Sequence, residues 1–146
     1  MCQINSIMKD FEHFIREGEV RKQKKDSNLA NALIKSSEKS VKNIRRIKVD
    51  GLNAESVLSE IYDSIRELID AILSLEGYKS YSHEASILFL KKYSLFSEKE
   101  ILFLDDLRKI RNGIKYYGKE ADVESALTVI NFMKSILLKF KKVLKI

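Results

Sequence analysis

The residues whose types and spacing could do chemistry are concentrated in "LRKIRNGIKYYG", residues 107–118. At helical spacing Leu104, Leu107, Arg111, Ile114 and Gly118 share one face. Arg111 therefore stands inside an apolar stripe, where an unpaired charge is costly. It must meet a carboxylate, an anionic ligand or water. Asp63, Glu67 and Asp70, on a helix earlier in the chain, are the candidate carboxylates for an interhelical ion pair. Asn112 and Tyr116 are i, i+4 neighbours on the adjoining face, and Lys115 stands i+4 from Arg111.

Arg111, Asn112, Lys115 and Tyr116 together offer several donors, two positive charges and an aromatic face. That set suits a phosphate or a nucleotide. Tyr117 aligns with Ile110, Gly113 and Ile114, which favours packing in the core over contact with a ligand, although it adds a second aromatic face. Gly113 costs the helix roughly 1 kcal/mol against alanine and would let another backbone or a phosphate come close. The stretch has no histidine and no carboxylate, and a tyrosine of pKa ~10 is a poor general base near neutrality.

Other reactive groups are few. Cys2 is the single cysteine, so no intramolecular disulfide can form; a reducing cytoplasm is the expected setting. Cys2, His13 and His83 are too few for a Cys- or His-rich metal cluster, and no cofactor is called for. His83, in "SYSHEA", is read as a capping or packing residue, and His13, between Phe11 and Phe14, as a surface or boundary residue. No apolar run approaches the ~18 residues that span a bilayer. The N-terminal stretch lacks the pattern of a signal peptide.

Charge is polarised along the chain. The net charge of +6 divides into +5 over residues 1–50, −6 over residues 51–106 and +7 over residues 107–146. Basic terminal segments beside an acidic middle point to an anionic partner such as a nucleic acid; a solvated lysine-rich surface reads the same way.

The elements that position these groups are helices. There is no proline, and only five glycines. Apolar residues recur at helical spacing nearly throughout, and no strand-like alternation competes. One stripe runs through Ile4, Ile7, Met8, Phe11 and Phe14 to Gly18, followed by the charged junction 21–26. Ser27 is the expected cap of a second helix with a thin, serine-interrupted stripe. Asn53 is the expected cap of a third that stops at Gly77, and the loop "GYKSYS" follows. Ser82 would cap a short fourth helix, "HEASILFLKKY", and Ser97 with Glu100 forms a capping box for the fifth. Asp122 opens the last helix, which is apolar on nearly two sides. The fold class is an all-α, up-and-down bundle of five to six helices in a single domain, 1–146. The two-sided last helix suggests a homodimer; a central helix buried within one chain would look the same.

Residues 61–90, "IYDSIRELIDAILSLEGYKSYSHEASILFL", followed by 104–118, "LDDLRKIRNGIKYYG", resemble the HEPN family, the higher-eukaryote and prokaryote nucleotide-binding domain. The resemblance implies an all-α bundle that dimerises. It places the family's motif arginine at Arg111 and its polar residue at Asn112, with Tyr116 or Tyr117 standing where the family has a histidine. Active members of the family are metal-independent ribonucleases in which the 2′-hydroxyl attacks the adjacent phosphate at a dimer-interface site. By resemblance Arg111 would hold that phosphate and stabilise its developing charge, with Asn112 assisting. Others pair with a small nucleotidyltransferase as toxin and antitoxin; the tyrosine that is modified in those falls here at Gly118. Three readings follow: a nucleotide- or RNA-binding module, a ribonuclease lacking the usual histidine, and a structural helical dimer in which Arg111 is an ion-pair residue.

Overall fold

The structure is a computed structural model that describes residues 11–146. The stripe residues Ile4, Ile7 and Met8, and Cys2, lie outside the described residues. Six helices dominate: α1 (residues 11–16), α2 (Ser27–Arg46), α3 (Ala54–Glu76), α4 (His83–Phe89), α5 (Glu98–Tyr117) and α6 (Val123–Leu144). The fold class is all-α, as the periodicity predicts.

Local chemistry sets most boundaries. Ser82 Oγ accepts from Ala85 N at 3.1 Å, and Asp122 Oδ1 accepts from Ser125 N at 2.8 Å. The capping box closes both ways, with Glu100 N donating to Ser97 Oγ and Ser97 N donating to Glu100 Oε1. Gly77 and Gly118 end α3 and α5 in the left-handed conformation, at φ 88° and 61°.

Two caps differ from expectation. Asp26, not Ser27, caps α2, because its Oδ1 reaches Leu29 N at 2.9 Å. Asn53 holds the N-cap position of α3 but spends its side chain on the preceding turn, accepting from Asp50 N and donating to Lys48 O. The fourth helix is also shorter than its sequence suggests. It ends at Phe89, and Leu90–Lys92 tightens into a 3₁₀ turn.

The expected absence of strands is overturned. β1 (Val20–Lys22) pairs antiparallel with β2 (Tyr78–Ser80), with Val20 opposite Ser80, Arg21 opposite Lys79 and Lys22 opposite Tyr78. Three residues are too few to display an alternation, and the partner lies beyond two intervening helices. Val20, 1% exposed, and Tyr78, edge-on to Phe11 at 5.2 Å, anchor the inner face of this ribbon.

The long helices alternate in direction. Asp26 N donates to Ser74 O, and Ser37 Oγ to Ser64 O at 2.8 Å, so α2 runs antiparallel to α3. Ser37, one of the serines that thin the α2 stripe, is thus buried against the α3 backbone. Phe103 stacks on Phe132 at 4.1 Å, Phe96 meets Phe140 at 5.0 Å, and Glu100 pairs with Lys139, so α5 and α6 are antiparallel. Ala121 N donates to Glu55 Oε1 and ties the start of α6 to the start of α3.

α3 is the central helix and packs against α2, α4, α5 and α6. The last helix is therefore not the central one. It buries Ala126, Val129, Met133, Ile136 and Phe140, and leaves Leu127 and Leu138 exposed. Among the described residues, no helix is long and apolar enough to cross a membrane.

Candidate functional site

Arg111 is only 5% exposed and lies between α5 and α3. Its Nη2 stands 3.1 Å from Asp63 Oδ1, so one of the three expected carboxylates is its partner. The pair is a contact of charges more than an aligned hydrogen bond. Among the described residues, Asp63 Oδ1, Arg111 Nε and Arg66 Nε are buried atoms without a hydrogen-bond partner. All three belong to one neighbourhood, and buried polar atoms of this kind are normally satisfied.

Three side chains that the sequence reading did not single out belong to this neighbourhood: Tyr62 contacts Arg111, and Arg66 and Arg108 act with Arg111 on Tyr62 and His83. Tyr62 and Arg66 come from α3, one helical turn apart, and Arg108 comes from the turn of α5 before Arg111. The Arg111 guanidinium carbon stands 5.9 Å from the centre of the Tyr62 ring. His83, the first residue of α4, completes the group: its Nδ1 is 3.5 Å from Tyr62 Oη, and the two ring centres are 6.2 Å apart.

The electrostatics are asymmetric. Burial lowers the His83 pKa, and Arg66, Arg111 and Arg108 lower it further against an opposing Asp63. The imidazole is therefore neutral at neutral pH and able to accept a proton. Burial pushes the Tyr62 phenol up to about 12, although Arg66, Arg108 and Arg111 all pull it down. Seen from His83 and Tyr62, three guanidiniums face one carboxylate. Two further carboxylates meet the stem-side nitrogens of the other arginines, Arg108 Nε with Asp105 at 2.9 Å and Arg66 Nε with Asp70 at 3.8 Å, so each guanidinium has one carboxylate within 4 Å.

The structure divides the predicted set. Arg111 points inward and Asn112 is half-buried, but Lys115, Tyr116 and Tyr117 project into solvent from the last turn of α5. Tyr117 is 78% exposed, which overturns its expected place in the core; residues 115–120 are all exposed, so among the described residues nothing covers that side. Lys115 Nζ lies over the Tyr116 ring at 5.7 Å. Gly113 does make room, but for a side chain: a Cβ there would meet Lys119 Cδ at 3.0 Å.

His83 follows its capping serine but faces the arginine cluster, so the capping and packing role assigned to it is incomplete. Two signals for the cluster were present: Arg108 and Arg111 at i, i+3, and Tyr62, Asp63 and Arg66 within one turn. Neither shows that the two groups meet. His13 is exposed, as expected.

Chemically, the cluster can bind a phosphate through guanidinium donors and offers it a neutral imidazole and a protonated phenol. Among the described residues, no three or more His, Cys, Asp or Glu side chains converge to hold a metal ion. Compared with protein-family models, with curated proteins and with solved structures, the chain matches none.

Proposed function

We propose that this chain is a nucleotide- or RNA-binding protein of HEPN type, which takes a phosphate group at Arg66, Arg108 and Arg111. One observation carries the reading: Arg111 is buried, yet its Nε and that of Arg66 have no hydrogen-bond partner among the described residues, beyond the Asp63 and Asp70 carboxylates that stand within 4 Å of the two guanidiniums. A phosphate would supply acceptors for those donors. The resemblance of the Arg111–Asn112 motif to the family's points the same way.

The test is the binding of labelled single-stranded RNA and of ADP to wild type and Arg111→Met, with circular dichroism to verify the fold. One lost charge-assisted contact, worth about 1.5–3 kcal/mol, weakens binding about tenfold or more. Equal affinity of the two proteins would sink the reading.

A ribonuclease is the second reading, and a specific observation favours it. The imidazole missing from the motif on α5 reaches the same cluster from α4, as His83 beside Tyr62. In this reading His83 takes the proton of a 2′-hydroxyl, the 2′-oxygen attacks the adjacent phosphorus, and the 5′-oxygen leaves. The arginines hold the charge that develops on the phosphorane. EDTA-resistant cleavage that disappears in both Arg111→Met and His83→Gln is the expected result; intact RNA after incubation with wild type retires the reading.

The homodimer belongs to the same proposal. Leu127 and Leu138, three turns apart on one side of α6, and Leu102 and Ile110 on α5 are exposed apolar side chains for a second copy to cover.

A further inference from the structure

We propose that the β1–β2 ribbon is a second contact surface, which carries the backbone of a polynucleotide strand leading to the arginine cluster. The proposal rests on the phosphate-binding reading above and adds this surface to it. Its observations are separate from those of the cluster.

The first is the ribbon's register. Arg21 and Lys79 are directly opposite and both exposed, on the face turned away from the Val20 and Tyr78 anchors. Like charges opposite each other in an antiparallel pair repel. Among the described residues, neither forms an ion pair, nor do the exposed Lys22 and Lys24. Among the described residues no carboxylate stands within ion-pair distance of Arg21 or Lys79: Glu76 is held by Lys92 at 2.8 Å, and Asp70, on which Lys79 acts from further away, has Arg66 at 3.8 Å. A polyanion removes the repulsion that the fold leaves in place.

The second is an aromatic face. Tyr81 is 61% exposed, directly after β2, with Lys79 Nζ 6.0 Å from its ring centre. Its backbone is fixed by a 2.7 Å bond from Tyr81 N to Glu19 O. Cations beside an exposed aromatic ring suit a strand whose phosphates and bases are bound in turn.

The third is continuity with the cluster. Ser82 separates Tyr81 from His83, so the ribbon runs directly into α4. Lys79 also acts on the Asp70 carboxylate, which lies 3.8 Å from Arg66. The path from ribbon to cluster thus follows Lys79, Tyr81 and His83 along the chain. A mononucleotide at the cluster would leave the ribbon unused.

The experiment is fluorescence anisotropy with oligouridylates from the dinucleotide to about 12 nucleotides, within the ~4–16 nucleotides of single-strand sites. Wild type, Arg111→Met and the double variant Arg21→Ala/Lys79→Ala are compared, with UMP as the mononucleotide. Wild-type affinity is expected to rise with length. The double variant is expected to lose that gain, about tenfold for the longest strand, and to shallow the salt dependence by about 1.4 in log–log slope, ~0.7 for each lost phosphate contact. Its affinity for UMP stays at the wild-type value, whereas Arg111→Met loses both ligands. Because the double variant removes a repulsion, its Tm should hold or rise, so lost binding cannot be ascribed to unfolding.

Binding of UMP without a gain from length overturns the ribbon proposal and leaves the cluster reading intact. Failure of wild type to bind any of these ligands overturns both. A length gain unchanged in the double variant, or competition by polyglutamate as strong as that by RNA, also overturns the assignment of the ribbon to a nucleic acid strand.

Discussion

At the scale of single residues, Arg111 separates a binding role from a structural one. Its side chain is 6% exposed, while that of Asp63 is 47% exposed. Removing the arginine therefore leaves one buried oxygen, Asp63 Oδ1, without its cation, while the rest of that carboxylate keeps its water. Arg111→Met retains the buried stem and discards a desolvated charge, and Asp63 is half-exposed, so the cost should stay well below the ~3–5 kcal/mol of breaking a fully buried pair. Its Tm should lie close to the wild-type value. Arg111→Ala also discards the stem and should cost about 1–3 kcal/mol in urea unfolding. A Tm well below wild type for Arg111→Met would mean that the charge itself holds α5 to α3. His83 gives a pH signature. Its folded pKa lies below the ordinary 6.5. As pH falls below about 6.5 the unfolded chain gains a proton that the folded chain resists, so stability declines on acidification and is unaffected above that range. In His83→Gln the curve of Tm against pH should be flatter between about pH 6.5 and 5. Superimposable curves would show that neither burial nor the arginines depress the His83 pKa.

At the scale of elements, the ends of the helices do the positioning. Gly77 ends α3 where the chain turns into β2, and Gly118 ends α5 just past the cluster. Both have positive φ, so alanine at either meets roughly 1–2 kcal/mol of left-handed strain. Their surroundings differ. A Cβ at Gly118 meets nothing within 4 Å, whereas one at Gly77 would stand 3.0 Å from the backbone oxygen of Gln23. Gln23 N also donates to Gly77 O at 2.9 Å, so the ribbon is fastened at that point. Gly77→Ala should therefore cost more than Gly118→Ala in urea unfolding, and it should loosen the ribbon against hydrogen exchange. Equal costs would mean that β1 shifts freely to accommodate the methyl group. These caps could be read from the sequence because their chemistry is local: a serine, aspartate or glycine acts on backbone groups a few residues away. Asp26 displaced Ser27 only because neighbouring polar residues compete for the same orphan N–H.

At the scale of the whole molecule, one cluster of buried side chains joins the ribbon, the central α3 and the helices around it. Two large apolar side chains remain outside it on α6, Leu127 at 48% and Leu138 at 63% exposure. If a second copy covers them, Leu127→Lys/Leu138→Lys should halve the mass in sedimentation equilibrium while the helical circular dichroism persists. An unchanged mass would remove the homodimer from the proposal. The sequence alone determined the helical class, five of the helices and the anomaly at Arg111, because periodicity and capping are short-range signals carried by neighbouring residues. It also narrowed the partner of Arg111 to three carboxylates on one helix, including Asp63. It could not choose among those three, since the choice depends on how α5 turns against α3. Nor could it gather Tyr62, Arg66, Arg108 and His83, which come from three helices, or pair Val20–Lys22 with Tyr78–Ser80 across α2 and α3. The outward turn of Tyr117 was likewise invisible, because helical phase shows which residues share a face but not whether another element covers it. Those outcomes were decided by tertiary packing, which brings residues distant in sequence together and determines which charges lose their water.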